Sequence, residues 1–261
     1  MRILLISDIH GNSVALRAII NKVSSYDDVL FLGDLVDYGP DPGEVIDILK
    51  ELGAKGVRGN HDHAVAYGAD CKCGEALHWL SVWFRENITY NAIDSADKEY
   101  LAKLPEKIEM RSVFFENIVA VHGSPSNPLY GYLYPWLNNE EIYNNLEWSF
   151  RLRTTKDKPG ASRTLYLVGH THYQFLRTVH GSWVINPGSA GQPRDGDPRA
   201  AYIIVDLDSG DIIFNRIKYD MDKVIKRLEY IGVKGTYLEA LKWLFMRGSI
   251  PPEGLRLSRT G

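Results

Sequence analysis

Cysteine is scarce: the 261 residues contain two, Cys71 and Cys73, one residue apart in a stretch of Gly, Asp and Lys. That excludes a disulfide framework, and a zinc site would need a second pair elsewhere. The expected reading is a pair of loop thiols with no special duty, with a local redox or metal role as the minority reading. Long apolar runs are missing too, none approaching the roughly 20 residues that cross a bilayer. The opening Met1-Arg2-Ile3-Leu4-Leu5-Ile6 lacks the apolar region and small-residue cleavage site of a secretory leader. A cytoplasmic location without a membrane partner is therefore expected. There is no excess of positive charge: 30 Lys and Arg against 33 Asp and Glu give a formal net charge of −3, which supplies no general field for nucleic acid. Internal repeats and low-complexity tracts are absent. What is there, 44% hydrophobic and 24% charged residues, is the composition of an ordinary folded chain.

Apolar patterning gives the order of elements. Residues 2–7 form a short apolar run of the buried-strand kind. Across 13–24, Val14, Leu16, Ile19, Ile20 and Val23 recur at helical spacing, with Asn12 or Ser13 as the N-cap. A strand over 28–32, a turn-rich loop over 38–43, a helix over 44–52 and a strand over 55–58 follow. This alternation predicts a parallel sheet with right-handed crossovers, in which ligands bind at the carboxyl ends of the strands.

Beyond it, 74–104 reads as two helices broken near 89–92, and 108–121 as a hairpin turning at Glu116-Asn117, its second arm the strand 118–121. Residues 124–163 are the least regular. They carry Tyr130, Tyr132, Tyr134 and Trp136 and a helix around 139–148, and are expected to form an insertion over the site. Strands over 164–168, 174–179, 182–185, 200–206 and 212–217 come next, then two helices within 221–247. One domain spanning 1–261 is the simplest organisation.

Five polar clusters stand directly after apolar runs: Asp8-Ile9-His10-Gly11-Asn12, Gly33-Asp34-Leu35-Val36-Asp37, Gly59-Asn60-His61-Asp62, His122-Gly123 and Gly169-His170-Thr171-His172. Alone, an Asn at a strand end serves a turn and a single His is an ordinary structural residue. Five at strand ends are a different matter. Asp8, His10, Asp34, Asn60, His122, His170 and His172 offer carboxylate, imidazole and amide oxygen, too many ligands for one divalent ion and enough for two that share a carboxylate. Mixed nitrogen and oxygen ligands favour manganese, nickel, iron, zinc or cobalt over magnesium or calcium. Two such ions can hold a hydroxide between them and clamp the oxygens of an in-line displacement, for which phosphorus is the natural target.

In order and spacing the five clusters resemble the signature of the calcineurin-like metallophosphoesterases. Tyr38-Gly39-Pro40-Asp41-Pro42-Gly43-Glu44, Asn186-Pro187-Gly188-Ser189 and the run from Gln192 to Arg199 resemble its small prokaryotic phosphodiesterase-like branch. The resemblance implies a four-layer αββα sandwich of two mixed β-sheets with two divalent transition-metal ions at one edge. Asp8, His10, Asp34 and His172 would hold the first ion, and Asp34, Asn60, His122 and His170 the second. His61 would stabilise transition-state charge or protonate the leaving oxygen, its ring oriented by Asp62 or Asp8. The implied activity is hydrolysis of a small or nucleotide-like phosphoester, most readily a phosphodiester.

Other residues have competing readings. Asn12 meets substrate phosphate or caps a helix, and Arg194 and Arg199 bind phosphate or form surface ion pairs. Asp37 is read as a solvated loop carboxylate before a second-sphere acceptor, and His63, His78 and His180 as structural. For the aromatics of 130–136, packing is preferred to stacking on a nucleobase. The apolar segment 237–245 serves as core or as a dimer interface. Asp37-Tyr38-Gly39 and Asn60-His61-Asp62 depart from the protein-phosphatase pattern, which lowers the weight of a phosphoprotein substrate. A non-catalytic scaffold of the same fold is the rival of another class, and the complete set of imidazoles argues against it.

Overall fold

The computed structural model describes residues 1–146 and 163–257. Strand β1 (Arg2–Ile6) shows why the first apolar run is unbroken. Ile3 and Leu5 point into one hydrophobic layer and Leu4 and Ile6 into another, so both faces of the strand are covered. Beside β1 lie β2 (Asp28–Phe31) and the two-residue β3 (Lys55–Gly56), both parallel. On its other side β9 (Ala200–Asp206) runs antiparallel to β1 and β10 (Ile212–Ile217) antiparallel to β9, giving the order β10-β9-β1-β2-β3.

The second sheet has the order β4-β5-β6-β8-β7, from β4 (Lys107–Met110), β5 (Asn117–Val121), β6 (Thr164–Leu167), β7 (Gln174–Val179) and β8 (Ser182–Pro187). It is also mixed: β5, β6 and β8 are parallel, and β4 and β7 antiparallel edges. Ile3, Leu5, Leu30 and Leu32 of the first sheet meet Ile118, Ala120, Leu165, Leu167 and Ile185 of the second in the central layer. The expected sandwich of two mixed sheets flanked by helices is what the chain forms.

Helices α1 (Ser13–Lys22) and α2 (Pro42–Glu51) cover the outer face of the first sheet through Leu16, Ile19, Val45, Ile46 and Leu49. The Asn12 side chain accepts from the Ala15 N–H at 3.0 Å, capping α1. The other outer face carries Leu133, Ile142 and Leu146, the last two from and after α7 (Asn139–Asn144). Of the helix expected over 139–148, residues 147–148 lie outside the described residues, as does 149–162.

Differences at element ends have local causes. Asn117 opens β5 rather than turning the hairpin, because Ser112 N–H bonds the Phe115 carbonyl and closes the turn earlier. The expected third strand stops at Gly56, and Asn60 begins a helix, α3 (Asn60–Tyr67), that the polar composition concealed. The 74–104 region folds as α4 (Glu75–Phe84), a π-helical turn Arg85–Thr89, a short α5 (Tyr90–Ala92) and α6 (Ser95–Lys103). Two C-terminal helices appear as expected, α8 (Met221–Tyr230) and α9 (Gly235–Arg247), followed by α10 (Glu253–Leu257). Leu238, Leu241, Leu244 and Phe245 pack against Leu77, Leu80 and Phe84 of α4, which makes 237–245 largely core. No helix among the described residues is long and apolar enough to cross a membrane.

Candidate metal centre

Loops at the carboxyl ends of β1, β2, β5 and β6, together with the start of α3, converge on one buried polar cluster. The backbone there is unusual. Of nine non-glycine residues with positive φ among the described residues, seven lie in these loops: Asp8, His10, Asp34, Asp37, Tyr38, His170 and His172. Left-handed backbone costs an L-residue roughly 1–2 kcal/mol, so the surrounding bonds must hold these turns. Asp8 N–H bonds the Gly33 carbonyl and His10 N–H the Asp34 carbonyl, at 3.0 and 2.9 Å. Two loops approach so closely that a Cβ on Gly59 would stand 2.1 Å from Asp34 Oδ1, which explains the glycine.

All seven residues expected to hold metal come together, each at most 4% exposed. His172 Nε2 lies 3.3 Å from Asp8 Oδ1 and 3.3 Å from His10 Nε2, and His10 Nε2 lies 3.7 Å from Asp34 Oδ2. Next to them His122 Nε2 is 3.3 Å from Asp34 Oδ2, 2.9 Å from Asn60 Oδ1 and 3.0 Å from His170 Nδ1. Asp34 thus touches both groups.

Ring orientation makes the pattern informative. Nδ1 of His10, His122 and His172 faces the carbonyls of Val36, Leu32 and Gln192 at 2.9, 2.7 and 2.5 Å. Each Nδ1 therefore carries a proton and donates it to a carbonyl, so that in the neutral ring Nε2 presents a lone pair inward. The Asn60 amide donates to the Cys71 carbonyl at 2.7 Å, which turns its oxygen inward as well. Acceptors converge on acceptors, and Asp8 Oδ1 and His170 Nε2 are buried without a partner. Such an arrangement needs a cation, and carboxylate plus imidazole suits a divalent transition metal.

Protonation follows from the same crowding. Burial, with help from Asp34, lifts the Asp8 carboxyl to about 7. Burial opposes protonation of His122, but Asp34 and Asp8 outweigh it and raise the imidazole to about 9. Burial drives His10 down to about 3 and holds His170 and His172 well below their usual value. A proton shared at His122 partly offsets the carboxylates, the task a metal cation would take over.

His61 lies beside the cluster, its N–H donating to Asp34 Oδ1 at 2.9 Å. The carboxylate that orients its ring is Asp37, not Asp62 or Asp8: Asp37 Oδ2 lies 2.7 Å from His61 Nδ1. Asp37 is fully buried, so the solvated reading of this residue fails. Arg85 clamps it at 2.6 and 3.0 Å, and the Thr89 hydroxyl donates to its other oxygen at 2.8 Å. Burial would raise the Asp37 carboxyl, but Arg85 and His61 hold it below the ordinary carboxylate value. Asp62 instead accepts the backbone N–H groups of Asp34, Leu35 and Gly59 at 2.8, 2.7 and 2.9 Å. It locks the loop that carries Asp34 to the start of α3.

Arg85 and Thr89 escaped the sequence reading. Their signal was periodicity: Leu77, Ser81, Arg85 and Thr89 recur every four residues on one buried face. Of the other candidates, Asn12 is committed to its cap and to the Gly191 carbonyl at 2.9 Å. Arg199 pairs with Asp197. Arg194 finds only the neutral Gln192 Oε1 among the described residues, at 2.7 and 3.1 Å, and its charge is felt at Asp8, His10, His170 and His172. His63, His78 and His180 lie apart, on Tyr67 and Tyr130, on Asp70, and on Glu140 and Tyr143.

The segment 130–136 divides by parity, its aromatics all at even positions. Leu133 is buried against the second sheet, while Tyr132, Tyr134 and Trp136 stack into a ladder, with centroids 5.6 and 4.6 Å apart and planes within 13°. Its inner end lies 4.0 Å from the His170 ring, and its outer end, Trp136, is 62% exposed.

Comparison with known proteins supplies the family. Residues 1–210 match the model of the calcineurin-like phosphoesterase superfamily domain. A metallophosphoesterase from Sphaerobacter thermophilus has a similar structure, with a TM-score of 0.72 and 30% identity over 92% of this chain and 98% of that one. A Pyrococcus horikoshii protein shares the fold with a TM-score of 0.74 and 21% identity, covering 96% of this chain and 99% of its own. A protein of Methanocaldococcus jannaschii is 29% identical over 87% of this chain and 91% of its own length. These three are bacterial and archaeal chains of similar extent.

Proposed function

The chain belongs to the calcineurin-like phosphoesterase superfamily, metal-dependent hydrolases of phosphate esters, and from that premise we propose that it is a dinuclear phosphodiesterase acting on a small or nucleotide-like phosphoester. The observation that carries this reading is the meeting of acceptor atoms from Asp8, His10, His172, Asp34, Asn60, His122 and His170 around a shared carboxylate. Asp8, His10, Asp34 and His172 would hold one divalent transition-metal ion, and Asp34, Asn60, His122 and His170 the other. Bound together, the ions supply a nucleophile at neutral pH and neutralise charge on the phosphoryl oxygens.

The chain's own groups do the rest. Carbonyls of Val36, Leu32 and Gln192 keep three imidazoles in the tautomer that binds a cation. His61, held through Nδ1 by Asp37, keeps Nε2 for the phosphoryl group or leaving oxygen. Burial opposes its protonation, but Asp34, Cys71 and Asp37 outweigh that and raise its pKa, which suits a proton donor near neutral pH. Arg194, which meets only the neutral Gln192 oxygen among the described residues, has a guanidinium suited to a phosphate oxygen. The ladder from His170 to Trp136 supports the nucleotide-like part of the reading, since an exposed aromatic stack beside a phosphate site receives a base at about 1–3 kcal/mol per stacked ring.

The test is a screen of aryl and nucleotide diesters and monoesters with the chain loaded with manganese or nickel, against His61→Ala. Diester cleavage that falls about 10²-fold or more in the variant is expected. Equal, background-level rates for both proteins would sink the proposal.

A further inference from the structure

The thiols of Cys71 and Cys73 have no part in the site described above, yet they abut it. Cys71 is fully buried and Cys73 partly exposed, and both are free thiols. Lys72 between them has left-handed backbone, φ 49°, and its N–H donates to Asp70 Oδ1 at 2.7 Å. This turn folds the two side chains back on each other, with Sγ atoms 2.9 Å apart and the Ser81 hydroxyl 3.4 and 3.1 Å away. Both sulfurs lie within 4.8 Å of a ring nitrogen of His61. The same turn presents the Cys71 carbonyl that accepts the Asn60 amide, the bond that aims Asn60 Oδ1 at His122.

We propose that Cys71 and Cys73 form a reversible dithiol–disulfide pair whose closure displaces the Cys71 carbonyl, frees Asn60 and weakens the cation half-site of Asp34, Asn60, His122 and His170. The inference rests on the metal-site reading above. Only one residue separates the cysteines, so drawing their sulfurs into a bond moves the backbone between them, the Cys71 carbonyl included. The oxidant is a small disulfide. Cys73, the more exposed sulfur, attacks once its proton has passed along the 2.9 Å Sγ–Sγ contact to Cys71, and expels one thiolate, leaving a mixed disulfide. The Cys71 sulfur then attacks Cys73 and expels the second. Two cysteine thiols lose two electrons, the small disulfide gains them, and the two protons leave on its thiols.

The experiment treats the intact chain with oxidised glutathione and reads mass and manganese binding side by side. Closure is expected to remove about 2 Da, mapped to the peptide holding both cysteines, and dithiothreitol to restore it. One manganese ion should bind about tenfold or more weakly in the oxidised chain. Cys73→Ser should keep its manganese affinity under the same oxidant, and Asn60→Ala should reproduce the weak binding with none present. Thiols that persist in excess glutathione disulfide, or a disulfide that leaves manganese binding unchanged, would overturn the proposal. A reduced chain that binds manganese but cleaves no diester sinks the phosphodiesterase reading while both readouts here remain decisive. A reduced chain that takes up no manganese overturns both.

Discussion

The strands of the first sheet meet charge differently at their two ends. At the amino ends, Arg2 N–H bonds Asp27, Lys55 pairs with Asp28 at 2.6 Å and the terminal amine pairs with Asp208, all in the outer, solvated rim. At the carboxyl ends, Asp8, His10, Asp34 and Asp37 are buried on left-handed backbone, and acceptors face acceptors. One end balances its charges in water, where each pair contributes little. The other holds polar groups in an arrangement that costs folding energy unless something else binds there. Strain concentrated at one edge of an otherwise ordinary sandwich singles out that edge as the candidate site.

The largest expected break in that contrast is Asp34→Asn. Losing the shared carboxylate should remove bound metal and lower diester turnover by on the order of 10³-fold, read by elemental analysis and steady-state rates. Near-normal metal content would mean that Asp34 does not join the two half-sites.

Asp37→Asn separates positioning of His61 from metal binding. The neutral amide cannot hold the imidazole and Arg85 in the same way, so kcat should fall about 10–100-fold while the metal content stays at the wild-type level. A loss of metal equal to that of Asp34→Asn would place Asp37 in the metal site instead.

Acidity sharpens the comparison further. A cation requires Asp8 and His122 unprotonated, and these groups sit at about 7 and about 9. Metal affinity should therefore rise with pH, uptake releasing about one proton between pH 7 and 9 and more below 7. Calorimetry in buffers of different ionisation enthalpy reads that number, and uptake without proton release would contradict it. At the opposite end of the strands Lys55→Ala should change stability by no more than about 0.5 kcal/mol, checked by denaturant unfolding. A larger loss would mean that the rim is not merely solvated.

Much of this was legible in the sequence because the governing signals are local. Unbroken apolar runs gave the strands, helical spacing gave α1, α2, α8 and α9, and polar clusters after the runs gave the seven converging residues. What escaped depends on contacts between distant segments. Asp37 looks like a loop carboxylate until α4 brings Arg85, 48 residues away, and Thr89 onto it. Asp62, next to His61 in the chain, was the natural partner for its ring, but as the third residue of α3 it turns to the backbone of Gly59, Asp34 and Leu35. The cysteines read as idle because nothing in their spacing reveals that the Cys71 carbonyl orients Asn60.

Anomalous diffraction from crystals grown with manganese examines the central claim most directly. The account predicts two peaks flanking the Asp34 carboxylate, one within reach of Asp8, His10 and His172 and the other of Asn60, His122 and His170. Density without a peak beside Asp34, or manganese bound only elsewhere on the chain, would contradict it.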